Sequence, residues 1–162
     1  MKLLVLSDSH RKLDRMRYAI AQCKPDAVLH LGDHIHDAHE IARKHPDLPF
    51  HMVEGNCDME GSGDTELLLT FDGVTIFMTH GHEYCVKRGL GSFIDRAHRK
   101  GVNLALYGHT HNALIQETLG IWIMNPGQLI RHDKSHVASY GVVTIENGAF
   151  TCELAYLPLS MP

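Results

Sequence analysis

Short, wholly apolar runs alternate with helix-patterned stretches at the start of this chain. Leu3 to Leu6 is apolar without a break, as in a strand buried on both faces. Leu13, Met16, Ile20 and Cys23 then recur at helical spacing, and Lys24-Pro25 closes that helix. Ala27 to Leu31 predicts a second buried strand, Asp37 to Lys44 a short helix stopped near Pro46, and Phe50 to Val53 a third strand. This order predicts parallel strands joined by right-handed crossovers.

The pattern changes further on. Glu66 to Phe71 and Val74 to Thr79 predict a hairpin across Asp72-Gly73. Ser92 is placed to cap a helix running to Lys100 and closed by Gly101. Leu104 to Tyr107 reads as a short buried strand. Ala113 to Thr118, Ile121 to Met124, Ser139 to Glu146 and Ala149 to Tyr156 read as strands, with turns at Leu119-Gly120 and Asn147-Gly148. The front half is therefore α/β and the back half mostly antiparallel, which two packed sheets flanked by helices would satisfy. Gly61-Ser62-Gly63 reads as a loop inside one domain covering residues 1–162.

Composition narrows the class. The chain has 162 residues, 44% hydrophobic and 21% charged, enough for a core that needs no disulfides. Its four cysteines form no C-x-x-C pair, so reduced thiols and a cytoplasmic setting are expected. Neither a signal-peptide core nor a run of transmembrane length is present. A formal net charge of -4 argues against a broad nucleic-acid surface, although bound metals could still attract an anionic substrate.

Fourteen histidines are the anomaly. His39, His45, His51, His98 and His136 read as surface or helix-face residues. The others that matter follow predicted strands, in Asp8-Ser9-His10, His80-Gly81-His82 and Gly108-His109-Thr110-His111, alongside Gly32-Asp33 and Gly55-Asn56. Residues two apart in extended backbone point the same way, so each such pair is expected to converge. Asp8, His10, Asp33, Asn56, His80, His109 and His111 make a nitrogen and oxygen donor set without thiolate. That set suits divalent manganese, iron, zinc or nickel. Seven donors exceed one tetrahedral ion, whereas a bridging carboxylate would divide them four to a metal, and Asp33 is the natural bridge. Two such ions with two carboxylates and a hydroxide leave about one positive charge, a field suited to a phosphate ester and to an acidified water.

These blocks resemble the calcineurin-like metallophosphoesterase superfamily, and most closely its small, single-domain bacterial and archaeal phosphodiesterase branch. The matching strings are Ser7-Asp8-Ser9-His10, Leu31-Gly32-Asp33, Glu54-Gly55-Asn56-Cys57-Asp58, Thr79-His80-Gly81-His82, Gly108-His109-Thr110-His111 and Asn125-Pro126-Gly127. The resemblance implies an α/β fold, a four-layer α/β/β/α sandwich of two mixed sheets. It assigns Asp8, His10, Asp33 and His111 to one metal, and Asp33, Asn56, His80 and His109 to a second. The metal it implies is manganese foremost, with zinc, iron, nickel or magnesium as alternatives. It implies in-line attack of a hydroxide on phosphorus, with Asp33, Asn56 and His82 as catalytic candidates. Arg11, Asn56 and His82 are the candidates for contact with substrate phosphate.

Cys57 stands where the wider superfamily commonly has a histidine that protonates the leaving group. Cysteine is a poor acid for an alkoxide, so modest rates and a preference for good leaving groups are expected; His82 is the remaining candidate acid. Arg131 matches an arginine often found after Asn-Pro-Gly in the family, and Asp58 and Asp64 read as loop-ordering residues. The expected activity is phosphodiester hydrolysis of a small substrate in an open site without a cap domain, without membrane or nucleic-acid partners. The alternatives are a phosphomonoesterase, a nuclease of the same superfamily, and a non-catalytic protein-binding scaffold resembling the retromer subunit of this fold. The apolar back-half strands leave an edge through which the chain could self-associate as a homo-oligomer.

Overall fold

Two five-stranded sheets, packed face to face, organise the computed structural model, which describes residues 1–130 and 137–159. The first sheet contains β1 (Lys2–Leu6), β2 (Ala27–His30), β3 (Phe50–Met52), β9 (Ser139–Glu146) and β10 (Ala149–Tyr156), in the order β10-β9-β1-β2-β3. The second contains β4 (Glu66–Phe71), β5 (Val74–Thr79), β6 (Leu104–Leu106), β7 (Leu114–Thr118) and β8 (Ile121–Asn125), in the order β4-β5-β6-β8-β7. Helices α1 (Leu13–Cys23) and α2 (Ile35–Lys44) connect β1 to β2 and β2 to β3, and these strands pair in parallel.

Side-chain alternation along the strands builds the layers. Leu3 and Val5 of β1 and Leu29 of β2 face Ile76 and Met78 of β5 and Leu104 of β6, filling the space between the sheets. Leu4 and Leu6, on the opposite side of β1, pack with Met16, Ala19 and Ile20 of α1 and Ala38 and Ile41 of α2. Phe77, Ala105 and Ile123 of the second sheet pack with Phe93 and Ala97 of α3 (Gly91–Lys100). Three apolar interiors between helix, sheet, sheet and helix make the expected four-layer sandwich. β1 is apolar at every interior position because it is covered on both faces.

The helix ends are set by local chemistry and by tertiary contacts. Lys24 turns left-handed (φ 47°), and its N–H bonds the Ile20 carbonyl as α1 closes. α2 begins at Ile35, two residues before the expected start, because Asp58 from a distant loop accepts the Ile35 N–H at 2.8 Å. Ser92 is not the cap of α3. The flanking position is Leu90, with no side-chain cap, and Ser92 lies exposed within the first turn.

The back half is less antiparallel than its turn signals suggest. β4–β5 and β7–β8 are hairpins, but β5–β6 and β6–β8 are parallel, with α3 making the β5-to-β6 connection. β8 joins β6 rather than extending the hairpin outward, so the second sheet has a parallel centre and antiparallel edges. The parallel strands of both sheets carry the polar signatures at their C-terminal ends. Asp64, expected as a loop-ordering residue, pairs with Val53 in an isolated bridge, and its carbonyl accepts the Glu54 N–H at 2.8 Å. Arg131, His132 and His136 lie outside the described residues. Among the described residues no helix is long and apolar enough to cross a membrane.

Candidate metal centre

Each polar loop leaves the C-terminal end of a strand and meets the others at one edge of the sandwich. Asp8 follows β1, Asp33 follows β2, Asn56 follows β3, His80 follows β5, and His109 and His111 follow β6. The loops are bonded together through their backbones. Asp8 N–H donates to the Gly32 carbonyl at 3.1 Å, and Gly108 N–H to the His80 carbonyl at 3.0 Å. His109 N–H donates to Asp8 Oδ2 at 3.2 Å, which joins the two sheets at the site.

Close approach of these loops requires glycine. A Cβ on Gly55 would lie 2.3 Å from Asp33 Oδ1 and 2.4 Å from Asp33 N. Gly32, at φ +91°, faces the Gly55 backbone in turn, where a Cβ would stand 2.7 Å from Gly55 N. The Gly-Asp and Gly-Asn signatures are thus one packed unit rather than two independent turns.

The side chains converge by a route different from the expected extended pairing. Asp8 (φ 53°), His10 (φ 41°), Asp33 (φ 56°), His109 (φ 63°) and His111 (φ 63°) all occupy the left-handed region. Gly81 turns at φ 98° and His82 starts a short 3₁₀ turn, His82–Tyr84. The loops therefore curl their donors inward one residue at a time. Such conformations are costly for non-glycine residues and concentrate where the surroundings impose them, functional sites above all.

Two donor groups share Asp33. In the first, Asp8, His10, Asp33 and His111 each offer a ligand atom, and these atoms all lie within 4.8 Å of one another. His111 Nε2 stands 3.0 Å from Asp8 Oδ1, yet that oxygen accepts no hydrogen bond of ordinary geometry. His10 Nε2 is likewise buried without a hydrogen-bond partner. In the second, His80 Nε2 lies 3.1 Å from Asn56 Oδ1 and 3.4 Å from Asp33 Oδ1, and the His80 and His109 rings are 5.0 Å apart. His80 Nδ1 is 2.7 Å from the Leu31 carbonyl, which only accepts, so Nδ1 carries a proton and the ring is held with Nε2 toward Asn56 and Asp33. Nitrogen and oxygen donors gathered in this way, with Asp8 Oδ1 and His10 Nε2 buried and unpartnered, are what a divalent cation binds. The donor set therefore fits divalent metal.

The electrostatics agree. Burial pushes the Asp8 carboxyl up, but His111, the charge of His80 and the Ser7 hydroxyl at 2.5 Å outweigh it and hold the group below the usual carboxylate range. His109 is pulled down to about 4, first by burial and then by His80 and Lys87, against Asp33 and Asp8. Burial also lowers His10 and His82. Neutral imidazoles beside a carboxylate kept ionised are the protonation states that metal ligation needs.

Residues around the donors complete the site. Asp37, buried in the first turn of α2, accepts from the Ser9 hydroxyl and the Arg11 N–H, both at 2.7 Å, and so holds the Asp8-to-Arg11 loop. Asn125 Nδ2 donates to the Gly108 carbonyl at 2.9 Å and to Thr110 Oγ1 at 3.0 Å, tying down the His109 loop. His34 rests edge-on against His10 with ring centroids 4.8 Å apart. The expectation for the donors named neither Asp37 nor His34; adjacency of His34 to Asp33 was the one available signal. Asp58 also accepts the Gly55 N–H at 2.8 Å and is the loop-ordering residue expected. His82 sits 5.4 Å from the His80 ring and 6.1 Å from that of His109, with a buried, unpartnered Nδ1. Arg11 is exposed.

Residues 1–148 match the calcineurin-like phosphoesterase superfamily domain. The chain belongs to this superfamily. Within it, the chain is 35% identical over 155 residues to the Bacillus subtilis protein named probable metallophosphoesterase YsnB, covering 93% of this chain and 88% of that one. It is 26% identical over 148 residues to a phosphodiesterase of Methanocaldococcus jannaschii, covering 79% and 84%. The crystal structure of a conserved protein from Streptococcus pneumoniae has the same fold, with a TM-score of 0.79 at 22% identity and coverage of 96% and 88%. Vps29 of Entamoeba histolytica, crystallised with zinc, shares it too, with a TM-score of 0.73 at 20% identity and coverage of 96% and 99%. This calcineurin-like chain is thus a metallophosphoesterase of the small bacterial and archaeal type, with a candidate metal-binding group at the sheet edge.

Proposed function

We propose that the chain is a single-domain phosphodiesterase that works with two divalent metal ions, manganese foremost, on a small cytoplasmic phosphate diester. The observation that carries this reading is the position of Asp33 between two clusters of donors: Asp8, His10 and His111 on one side, His80 and Asn56 on the other. Asp8, His10, Asp33 and His111 would hold one ion; Asp33, Asn56, His80 and His109 would hold the other. When bound, such a pair polarises the phosphoryl group and acidifies water for in-line attack.

The chain's own residues supply the rest. Only two of the proposed ligands are carboxylates, so a centre loaded with two divalent ions is net positive, which favours an anionic diester. Asp37 and Asn125 fix the loops that aim the donors. His82 and Asn56 flank the second cluster, where they can contact a substrate phosphate, and Arg11 lies exposed beside His10. His82 is depressed toward its neutral form, which suits a hydrogen-bond role more than proton donation at neutral pH.

Likeness to Vps29 favours a second reading, a protein-binding scaffold on the same fold. Retention of every expected donor at one edge weighs against it. Elemental analysis, together with hydrolysis of bis(4-nitrophenyl) phosphate and 4-nitrophenyl phosphate under manganese, tests the proposal. Expected are about two metals per chain, faster turnover of the diester, and loss of both activities in His10→Ala and Asp33→Ala. Hydrolysis that survives metal stripping would sink the mechanism. Preference for the monoester would make the chain a phosphomonoesterase, and inactivity toward both esters would favour the scaffold.

A further inference from the structure

A groove of 340 Å³ opens beside the His109-to-His111 loop. Its walls come from two segments. Val86, Lys87 and Leu90 follow the 3₁₀ turn that begins at His82. Tyr107, Thr110 and the run from Asn112 to Leu114 lead out of β6 into β7. Thr110 lies between two of the proposed metal ligands, so a group seated in the groove is next to the centre. The volume falls at the lower end of the range for pockets that take small organic ligands.

The lining has a consistent chemistry. Val86 and Tyr107 are buried, Leu90 and Leu114 are half-buried, and together they give an apolar wall. Thr110 Oγ1 already accepts from Asn125, which leaves its hydroxyl proton available to a ligand. Lys87 is exposed and is the single charged residue among those lining the groove, on the wall opposite the loop that carries His109 and His111. No carboxylate lines this groove, although the chain carries 19 acidic residues against 15 basic ones. A positively charged, partly apolar groove beside the centre is a local exception to the overall charge.

Resting on the phosphodiesterase reading, we propose that this groove holds one ester substituent of the substrate and that Lys87 selects substituents bearing their own negative charge. The substrate class is then a phosphate diester with a flat or apolar arm that carries a carboxylate or a further phosphate. The diester phosphate would sit at the centre and the second anionic group at Lys87.

The test compares two non-hydrolysable probes, diphenylphosphinate and its analogue with a carboxylate on one ring, in which both ester oxygens are replaced by carbon. Binding of each to the manganese-loaded protein is measured by titration calorimetry, and a melting curve of each variant confirms the fold. The wild type is expected to prefer the carboxylate probe by about fivefold, the upper range for a partly exposed ion pair. That ratio should collapse to unity in Lys87→Ala and invert in Lys87→Glu. Equal affinities in the wild type, binding of neither probe, or a ratio unmoved by Lys87→Ala overturns the groove assignment. A preserved ratio in a protein that hydrolyses no diester would instead overturn the phosphodiesterase reading and leave the groove as an anion-selective binding site.

Discussion

His80 Nδ1 and the Leu31 carbonyl meet at 2.7 Å, and this one contact decides what the other ring nitrogen can do. With a proton held on Nδ1, the ring is fixed so that Nε2 faces Asp33 and Asn56. Leu31 itself is fixed by the sheet, since its N–H donates to the Leu6 carbonyl at 2.8 Å. The backbone of the first sheet thus orients a donor supplied by the second.

A cation among those donors should stabilise the fold as well as support catalysis. A ligand at about a hundred times its Kd adds about 2.7 kcal/mol, or about 5–10 °C in Tm for a chain of this size. Calorimetry with and without manganese should show such a rise in the wild type. In Asp33→Ala, which removes the shared donor, the rise should vanish. In His80→Ala, which removes a proposed ligand, elemental analysis should find about one metal fewer per chain, with turnover down by at least the roughly 10- to 100-fold that loss of a mere orienting group costs a metal site. A wild-type Tm that ignores manganese would contradict this.

Gly55→Ala tests the packed loops without touching a donor. The added methyl would stand 2.3 Å from Asp33 Oδ1, so either the Asp33 loop or the Asn56 loop must move. A shift of about 1 Å in a reacting group can cost about a hundredfold in rate. Overpacking of this kind costs about 1–3 kcal/mol. We expect kcat to fall about a hundredfold while urea unfolding shows a folded, modestly destabilised protein. Retention of full activity would mean that the Gly55 approach is incidental.

The sequence made the strands of the first sheet and the loops that meet at the sheet edge legible, because Leu3 to Leu6 and Ala27 to Leu31 carry a nearly unbroken apolar pattern and each polar string follows a predicted strand. It did not show how the donors converge. Left-handed turns at Asp8, His10, His109 and His111 depend on contacts such as Asp37 with Ser9 and Asn125 with Gly108, which join residues 28 and 17 positions apart. The parallel pairing of β6 with β8 was hidden for the same reason, since a hairpin signal at Leu119-Gly120 does not say which strand the hairpin will join. Ser92 failed as a cap because the first turn of α3 begins one residue earlier.

Cys57 sets an expectation about leaving groups. Its thiol is pushed up to about 11, by desolvation first and then by a hydrogen bond and charge from Asp33, with Asp58 and Asp8 adding to the effect. A thiol so weakly acidic transfers no proton usefully near neutral pH. The rate should therefore fall steeply as the leaving group's pKa rises across a series of aryl methyl phosphates. Cys57→His should flatten that dependence, with the largest gain on the poorest leaving group. An equally steep slope in the variant would show that position 57 has no access to the leaving oxygen.

His30 predicts how stability depends on pH. It lies wholly buried in β2, and burial pulls it down to about 4, with the charge of His80 in the same direction and Asp58, Asp8 and Asp37 opposing. The unfolded imidazole titrates near 6.5. Between these values the unfolded chain binds a proton that the folded chain refuses, so stability rises with pH across this window and is lost as pH falls through it. The difference corresponds to about 3 kcal/mol from this group. Urea unfolding of metal-free protein at steps between pH 7 and pH 4 should show that decline, and His30→Gln should remove about one proton's worth of the slope. An unchanged slope in His30→Gln would mean that the imidazole is already protonated in the folded protein, with its charge balanced by the carboxylates around it.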